Sequence, residues 1–502
     1  MNEQIKISVN GRVLYAHKGM RLSHVLDIEK PCGGHGKCGK CKVIAKGELS
    51  SPTEEEKRLL SREELERGVR LSCLACVLGE CEITTLSLEN RVQIVTEGDL
   101  PKLEIAPSFK QYGVAVDIGT TTLAARLYDP EGNMLGSASR LNPQQEWGAD
   151  VISRIEAALN GKARELTTAI RKAVDEVIAE LSSVAGINSQ EIDGAVITGN
   201  TVMLSLLAEE SVEPFSHAPF DAKRLFGEVL TVRKLELTAL EPETAVYLPP
   251  CISAFVGADT TCAVLATRLD RNDTAMLADI GTNGEIALWH NGRLTVCSTA
   301  AGPAFEGVGI SMGMRCGKGA IDKVSIDSGV IRAHVIGETA PIGICGSGLV
   351  DAIACMLELG ILDESGYLED DEFIIQAPVC ITPKDVRMLQ LAKSAICAGV
   401  VTLARSEGLK MSDLPNLYIA GGFGKYLSVE SAAKIGLLPC SIAPRSQAVG
   451  NAALAGASAM LLNLKTRKEI VELIKSAKTL DLSTNSVFSD LYVSGMMLTQ
   501  VD

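Results

Sequence analysis

The chain has 502 residues, 46% of them hydrophobic, which is enough for two or three domains that each bury a core and too apolar for a disordered chain. A net charge of −14 argues against non-specific nucleic-acid binding, and no run of eighteen apolar residues suggests a membrane span. Fifteen cysteines, an odd number, behind an N-terminus (MNEQIKISVNGRV) without an apolar signal core point to reduced thiols in a cytoplasmic protein.

The first segment, QIKISVNGRVLYAH, alternates apolar and polar residues around Asn10-Gly11, which predicts a β-hairpin. RLSHVLDIEK reads as a short helical stretch. The glycine-rich loop PCGGHGKCGKCKV follows with Cys32, Cys38 and Cys41, and VRLSCLACVLGEC adds Cys73, Cys76 and Cys81. Glycines let such a loop wrap tightly and turn its amides toward sulfur. The C-x5-C-x2-C spacing with a distant cysteine is one residue longer than the plant-type C-x4-C-x2-C…C pattern, so a [2Fe–2S] ferredoxin domain would use Cys32, Cys38, Cys41 and Cys73. Two zinc knuckles, Cys38-x2-Cys41 and Cys73-x2-Cys76, are the rival, although they are widely separated and leave Cys32 over. Cys76 and Cys81 are then spare thiols or alternative ligands, and His35 is a loop residue beside the metal. SPTEEEKRLLSREELERG predicts a solvated helix between the cysteine groups, and residues 92–110 a last strand and a linker.

Next, YGVAVDIGTTTLAARLY runs from an apolar strand through Asp117, Gly119, Thr120, Thr121 and Thr122 into a second strand. TAMLADIGTNGEIALW repeats the pattern with Asp279, Gly281, Thr282, Asn283 and Gly284. GAVITGNTVM (194–203) and NLYIAGGFGKYL (416–427) form a second matching pair, each a strand entering a glycine turn. The order hairpin, strand-turn, hairpin, strand-turn predicts a duplicated architecture. Glycine-threonine turns present amides and hydroxyls to phosphate oxygens. A carboxylate beside each turn, Asp117 or Asp279, can hold Mg²⁺ through water or orient an attacking water, which makes these the catalytic candidates. Gly421, Gly422 and Gly424 would let the backbone pass close to a base or ribose.

These strings look like the acetate and sugar kinase, Hsp70 and actin superfamily of ATPases, abbreviated ASKHA. Together with the cysteine loop, the chain resembles the reductive activators of corrinoid proteins. The likeness also runs through NPQQEWGADVISRI, FVGADTT, AGPAFEG, GICGSGLVDAIA and KDVRMLQLAKSAICAG. Larger members carry an extra domain after the ferredoxin part, where only a short linker fits here. The resemblance implies an α+β β-grasp ferredoxin domain (1–91), a linker (92–110) and a duplicated α/β ASKHA domain (111–502, with lobes around 111–260 and 270–502). It implies a [2Fe–2S] cluster, ATP and Mg²⁺ as cofactors. It implies as partners a corrinoid protein of a methyltransferase system and a low-potential electron donor, while charge and hydropathy lead us to expect no nucleic acid and no membrane. By the same likeness Gly346, Ser347 and Gly348 are plausible nucleotide contacts.

The implied activity is ATP-dependent electron transfer from the cluster to Co(II), regenerating Co(I). Plant-type clusters sit near about −400 mV. Each ~59 mV of uphill gap costs a one-electron step a factor of ten. ATP would close the gap by shifting a domain-closure equilibrium. Three rivals stand beside this: an activator of a dehydratase or aryl-CoA reductase, a zinc-stapled non-redox ATPase, and a small-molecule kinase. Of the remaining features, Glu306 reads as a loop hydrogen-bonder or a group near Mg²⁺, and Arg315 as a phosphate contact or an ordinary ion pair. Cys345 reads as structural, Lys393 as a solvated residue on a core helix, and LYVSGMM as a core seal or a homodimer surface.

Overall fold

Asn10 and Gly11 both take positive φ, 49° and 82°, and close the two-residue loop between β1 (Gln4–Val9) and β2 (Arg12–His17) as the Asn-Gly signal predicts. The structure, a computed structural model, describes residues 4–26, 28, 34–36, 39–85 and 97–502, apart from the side chains of Arg12 and Lys425. The chain divides into two compact units: residues 1–91 with 143–157, and residues 92–142 with 158–502.

In the first unit, the remaining elements of the sheet region are β3 (Lys42–Leu49), α1 (Glu54–Leu59), α2 (Arg62–Glu66), β4 (Val69–Leu71) and β5 (Val77–Thr85). The mixed sheet has the order β2-β1-β5-β3-β4, with β1 and β5 parallel at its centre. The helical stretch after β2 is shorter than predicted, a single 3-10 turn at Leu22–His24. The charged segment forms two helices rather than one, because Thr53 and Ser61 each start a capping box and Leu60 between them is extended. Glu56 is buried, and the Arg70 guanidinium grips both its oxygens at 3.0 and 2.9 Å. Burial alone would raise this carboxyl; Arg70 and the Leu71 and Thr53 amides hold it below its usual range.

The second unit opens with β6 (Tyr112–Ile118), β7 (Thr122–Tyr128) and β8 (Met134–Leu141). After α3 (Val151–Ala157), which belongs to the first unit, come α4 (Ala163–Ala185), β9 (Ile192–Gly199), α5 (Thr201–Leu207), β10 (Glu228–Thr231), β11 (Ala245–Leu248) and α6 (Ala258–Ala266). The second half repeats the hairpin as β12 (Thr274–Ile280), β13 (Gly284–His290) and β14 (Arg293–Thr299). Then follow β15 (Ala320–Asp327), β16 (Val330–Val335), β17 (Gly343–Ile344), α7 (Gly346–Glu358), β18 (Phe373–Gln376), β19 (Val379–Ile381) and α8 (Pro383–Ser406). The chain ends with β20 (Leu417–Ala420), α9 (Val429–Lys434), β21 (Ser446–Gly450), α10 (Ala452–Leu462), α11 (Leu464–Ile474), β22 (Lys478–Thr479) and α12 (Ser486–Ser494).

Two six-stranded sheets, β10-β11-β9-β6-β7-β8 and β21-β20-β12-β13-β14-β22, express the duplication: β9-β6-β7-β8 corresponds strand for strand to β20-β12-β13-β14. Helices α6 and α10 cross so closely that a Cβ at Gly456 would strike the Cys262 carbonyl. Residues 97–110 pack onto this unit, with Phe109 in its core and Ala106 bridging Asn463. α8 is long and apolar enough to cross a membrane, but 83% of its apolar window is buried within the protein. Its predicted stripe, Val386, Leu389, Ala392, Ile396 and Val400, is fully buried. Lys393 is not solvated as expected: it is 0% exposed and donates to the Met497 carbonyl, while Gln390 donates to Met496 O at 2.8 Å. Desolvation pulls this ammonium down to about 8. The C-terminal LYVSGMM segment is thereby sealed onto α8.

Candidate functional site

The cysteine loop lies in the first unit. Cys32 and Cys38 fall outside the described residues. Cys41 and Cys73 are both buried, at 2% and 1% exposure. Antiparallel pairing of Lys42 with Leu71 and a 2.8 Å bond from Ser72 N–H to the Cys41 carbonyl set these two cysteines at the adjoining ends of β3 and β4. Two thiols at one sheet edge, beside a loop supplying two more cysteines, fit the four-sulfur set of a 2Fe–2S cluster. Cys81 sits on β5 between Ile7 and Gly47, in the core. Cys76 is half-buried and its amide donates to Ser50 Oγ at 3.0 Å. His35 is exposed.

In the second unit, both predicted turns open onto one cleft. Gly119 N–H closes on Thr122 O and Gly281 N–H on Asn283 O, each at 2.9 Å. Thr121 Oγ1 and Thr282 Oγ1 approach to 3.4 Å. Glu306 bridges the turns: Thr121 Oγ1 donates to its Oε2 at 2.7 Å and Thr282 Oγ1 to its Oε1 at 2.9 Å. Asp117, Gly119, Thr120, Thr121, Thr122, Asp279, Gly281, Thr282, Asn283, Gly421 and Gly422 line this part of the cleft. An adjoining cavity shares Thr121, Gly281 and Gly422 and adds Arg315, Gly346 and Ser347. Gly421 has φ +94°, and a Cβ there would sit 2.9 Å from Asp279 Oδ1.

Three predicted glycines are not among the lining residues. A Cβ at Gly284 would hit Ile396, one at Gly348 the Ile321 carbonyl, and one at Gly424 the Ile419 side chain. These glycines admit a neighbouring element. Ser347 spends its hydroxyl on Asp322 O at 2.8 Å.

Sequence reasoning missed several cleft residues. Asp259, at the start of α6, and Glu285, on β13, line the same cleft as Asp117 and Asp279. Burial pushes Asp117 up to about 7, against a hydrogen bond from Asn451 and with the Asp259 charge adding to the rise. Burial also brings Asp279 to about 7, reinforced by Asp259 and Asp117. Asp259 and Glu285 rise for the same first reason, desolvation. Asn200 and Asn451, the N-caps of α5 and α10, reach into the cleft: Asn200 Nδ2 donates to Thr120 Oγ1 at 3.2 Å, and Asn451 Nδ2 to Asp117 Oδ2 at 3.0 Å. The signal was present as a repeated Gly-Asn before a helix, at 199–200 and 450–451.

A five-stranded unit with paired buried cysteines, followed by two matching sheets around a glycine-threonine cleft, defines a ferredoxin-type domain joined to an ASKHA fold. The chain matches the 2Fe-2S iron-sulfur cluster binding domain over residues 3–78, the RACo middle region over 112–272, and the C-terminal domain of RACo, the ASKHA domain, over 273–502. It is 35% identical over 453 residues to the corrinoid activation enzyme RamQ of Eubacterium limosum, covering 83% of this chain and 76% of that protein. It is 26% identical over 419 residues to the Co(II) methylated amine-specific corrinoid protein reductase of Methanosarcina barkeri, covering 76% of each. A solved structure, a reductive activator for corrinoid, iron-sulfur protein, superposes with a TM-score of 0.75 at 28% identity over 99% of each chain. The chain belongs to this family of corrinoid-protein activators, in line with the resemblance drawn from its motifs.

Proposed function

We propose that this chain is an ATP-dependent reductive activator of a corrinoid protein, delivering single electrons that return Co(II) to Co(I) for methyl transfer. The observation that carries this is the union, in one chain, of the adjoining buried Cys41 and Cys73 with a cleft where two Asp-Ile-Gly-Thr turns meet. Relatives named for corrinoid activation support the acceptor. Cys32, Cys38, Cys41 and Cys73 would hold a 2Fe–2S cluster, which supplies one low-potential electron at a time.

The chain's own residues do the rest. The turn amides and the hydroxyls of Thr120, Thr121, Thr122 and Thr282 take the phosphates, while Gly119, Gly281, Gly421 and Gly422 keep the backbone bare for close approach. Asn283, Gly346 and Ser347 complete the nucleotide wall. Asp117 and Asp279 would hold Mg²⁺ through water or orient the attacking water. Among the described residues no three acidic, histidine or cysteine side chains close around one point. Closure of the cleft on ATP would drive the uphill electron. The same reading calls for a low-potential donor and a reducing, cytoplasmic setting, and no disulfide forms among the described residues.

Anaerobic purification followed by iron, sulfide and zinc analysis tests the first half. Two irons and two sulfides per chain, with visible bleaching on reduction, are expected; one zinc and no chromophore would refute it. Cys38→Ser should abolish ATP-dependent formation of Co(I) on a corrinoid protein and leave nucleotide binding intact. Retained cobalt reduction in that variant would remove the cluster from the mechanism.

A further inference from the structure

The cleft wall carries two thiols that the proposed function does not use. Cys316 and Cys345 line the same cavity as Thr121, Gly281, Glu306 and Ser347. The backbone brings them together: Met314 N–H bonds Ile344 O and Ile344 N–H bonds Met312 O, each at 2.9 Å, and Gly313 bridges Ile344 in parallel. The two thiols are neighbours on this wall, and each is the largest influence on the other's ionisation. Cys345 is also the N-cap residue of α7, with its sulfur 3.3 Å from Ser347 Oγ. Cys316 is half-buried and gives small molecules in the cleft a way to the pair.

Elsewhere burial pushes cysteines up, as at Cys251 and Cys397, both to about 12. Cys345 goes the other way, down to about 7: the neighbouring Cys316 thiol is the largest cause and outweighs burial, and the Gly348 amide adds to the effect. The same pairing, with burial, holds Cys316 as the thiol, well above its ordinary value. A thiolate at a helix start beside a resolving thiol is the arrangement of reactive cysteine pairs.

We propose that Cys316 and Cys345 form a reversible dithiol–disulfide couple that closes the nucleotide site when the protein meets peroxide. This rests on the nucleotide reading of the cleft. The Cys345 thiolate attacks a peroxide oxygen, the O–O bond breaks, and a sulfenic acid and hydroxide result. The hydroxide takes the Cys316 proton and becomes water. The Cys316 thiolate then attacks the sulfenic sulfur, forming the S–S bond and expelling a second hydroxide, which is protonated by solvent. In sum two thiols give two electrons to one peroxide and yield a disulfide and two waters; a dithiol reductant reverses the change. An S–S bond of about 2.05 Å is shorter than any contact between unlinked thiols. It therefore draws the 312–316 segment onto the start of α7 and displaces Arg315, Gly346 and Ser347 from the cavity wall. ATP hydrolysis then stops under conditions in which the electrons it drives would be lost to oxidants.

The test uses the full chain, prepared without oxygen, treated with hydrogen peroxide and cleared with catalase. Peptide mass spectrometry should find a Cys316–Cys345 cross-link. The ATP Kd by calorimetry should rise about tenfold or more, about 1.4 kcal/mol, and recover with dithiothreitol. Cys316→Ser and Cys316→Ala should each bind ATP equally before and after peroxide. No cross-link, a cross-link with unchanged Kd, or the same loss of binding in both variants would overturn the couple as the cause. If the untreated chain itself does not bind ATP, the nucleotide reading of the cleft fails and the gating role falls with it, while the cross-link assay still reports whether the pair is oxidised.

Discussion

The two Asp-Ile-Gly-Thr turns are copies held with different firmness. The first is braced from several sides. A Cβ at Gly119 would lie 2.8 Å from Thr122 O. Asn142 donates its amide to Thr121 O and its Nδ2 to Gly119 O, both at 2.9 Å. Asn451 pins Asp117 Oδ2 at 3.0 Å. At the second turn the nearest atom to a Cβ on Gly281 would be 3.7 Å away. Asp279 feels only desolvation and its acidic neighbours. Duplication supplied two equivalent carboxylates; hydrogen bonding made one a fixed part of the frame and left the other able to turn toward a water or a cation.

Three experiments can break or sharpen that contrast. The largest effect should come from Asp279→Ala, which is expected to lower the ATPase rate about 10²-fold or more, whereas Asp117→Asn should cost about tenfold. Equal losses in steady-state assays would erase the distinction. Next, Gly119→Ala should destabilise the fold by about 1–3 kcal/mol, because a backbone oxygen meets the new methyl. Gly281→Ala should melt within a degree or two of the parent yet bind ATP more weakly; a large fall in its Tm would show that the second turn is as tight as the first.

The smallest effect is on pH dependence. Burial lifts Asp117 and Asp279 from 3.8 to about 7, so between those values the folded chain holds protons that the unfolded chain has lost. Stability from this source is therefore full below about pH 4, is lost as pH rises to about 7, and is flat above. Urea unfolding of the nucleotide-free protein should give less stability at pH 8 than at pH 5.5. Asp279→Asn should flatten that slope and be more stable than the parent at pH 8. A steeper slope in the variant would contradict the assignment.

Much of this was legible in the sequence because it is local. Asn10-Gly11 fixes a hairpin turn by itself, and a strand ending in Asp-Ile-Gly-Thr can do little but turn. The cleft's other members were hidden because they arrive by tertiary packing. Asp259 starts a helix and Glu285 alternates along an apolar strand; nothing local aims them at one point. Gly284, Gly348 and Gly424 show the reverse failure. A bare Cα reads the same whether a ligand or a neighbouring helix comes close, and here Ile396, Ile321 and Ile419 do. Lys393 reads as solvated in the sequence because the carbonyl it bonds, at Met497, lies about a hundred positions away.

Glu306 gives the cleft an occupant of its own. Its carboxylate already holds one hydroxyl from each turn. In the proposed cycle a phosphate arriving there replaces one anion by another, and the number of satisfied donors hardly changes. The net affinity is then a small difference between two similar arrangements. Departure is eased for the same reason, since the side chain can swing back as the product leaves. A protein that must release nucleotide to turn over gains from such a site, which behaves as a timer rather than a trap.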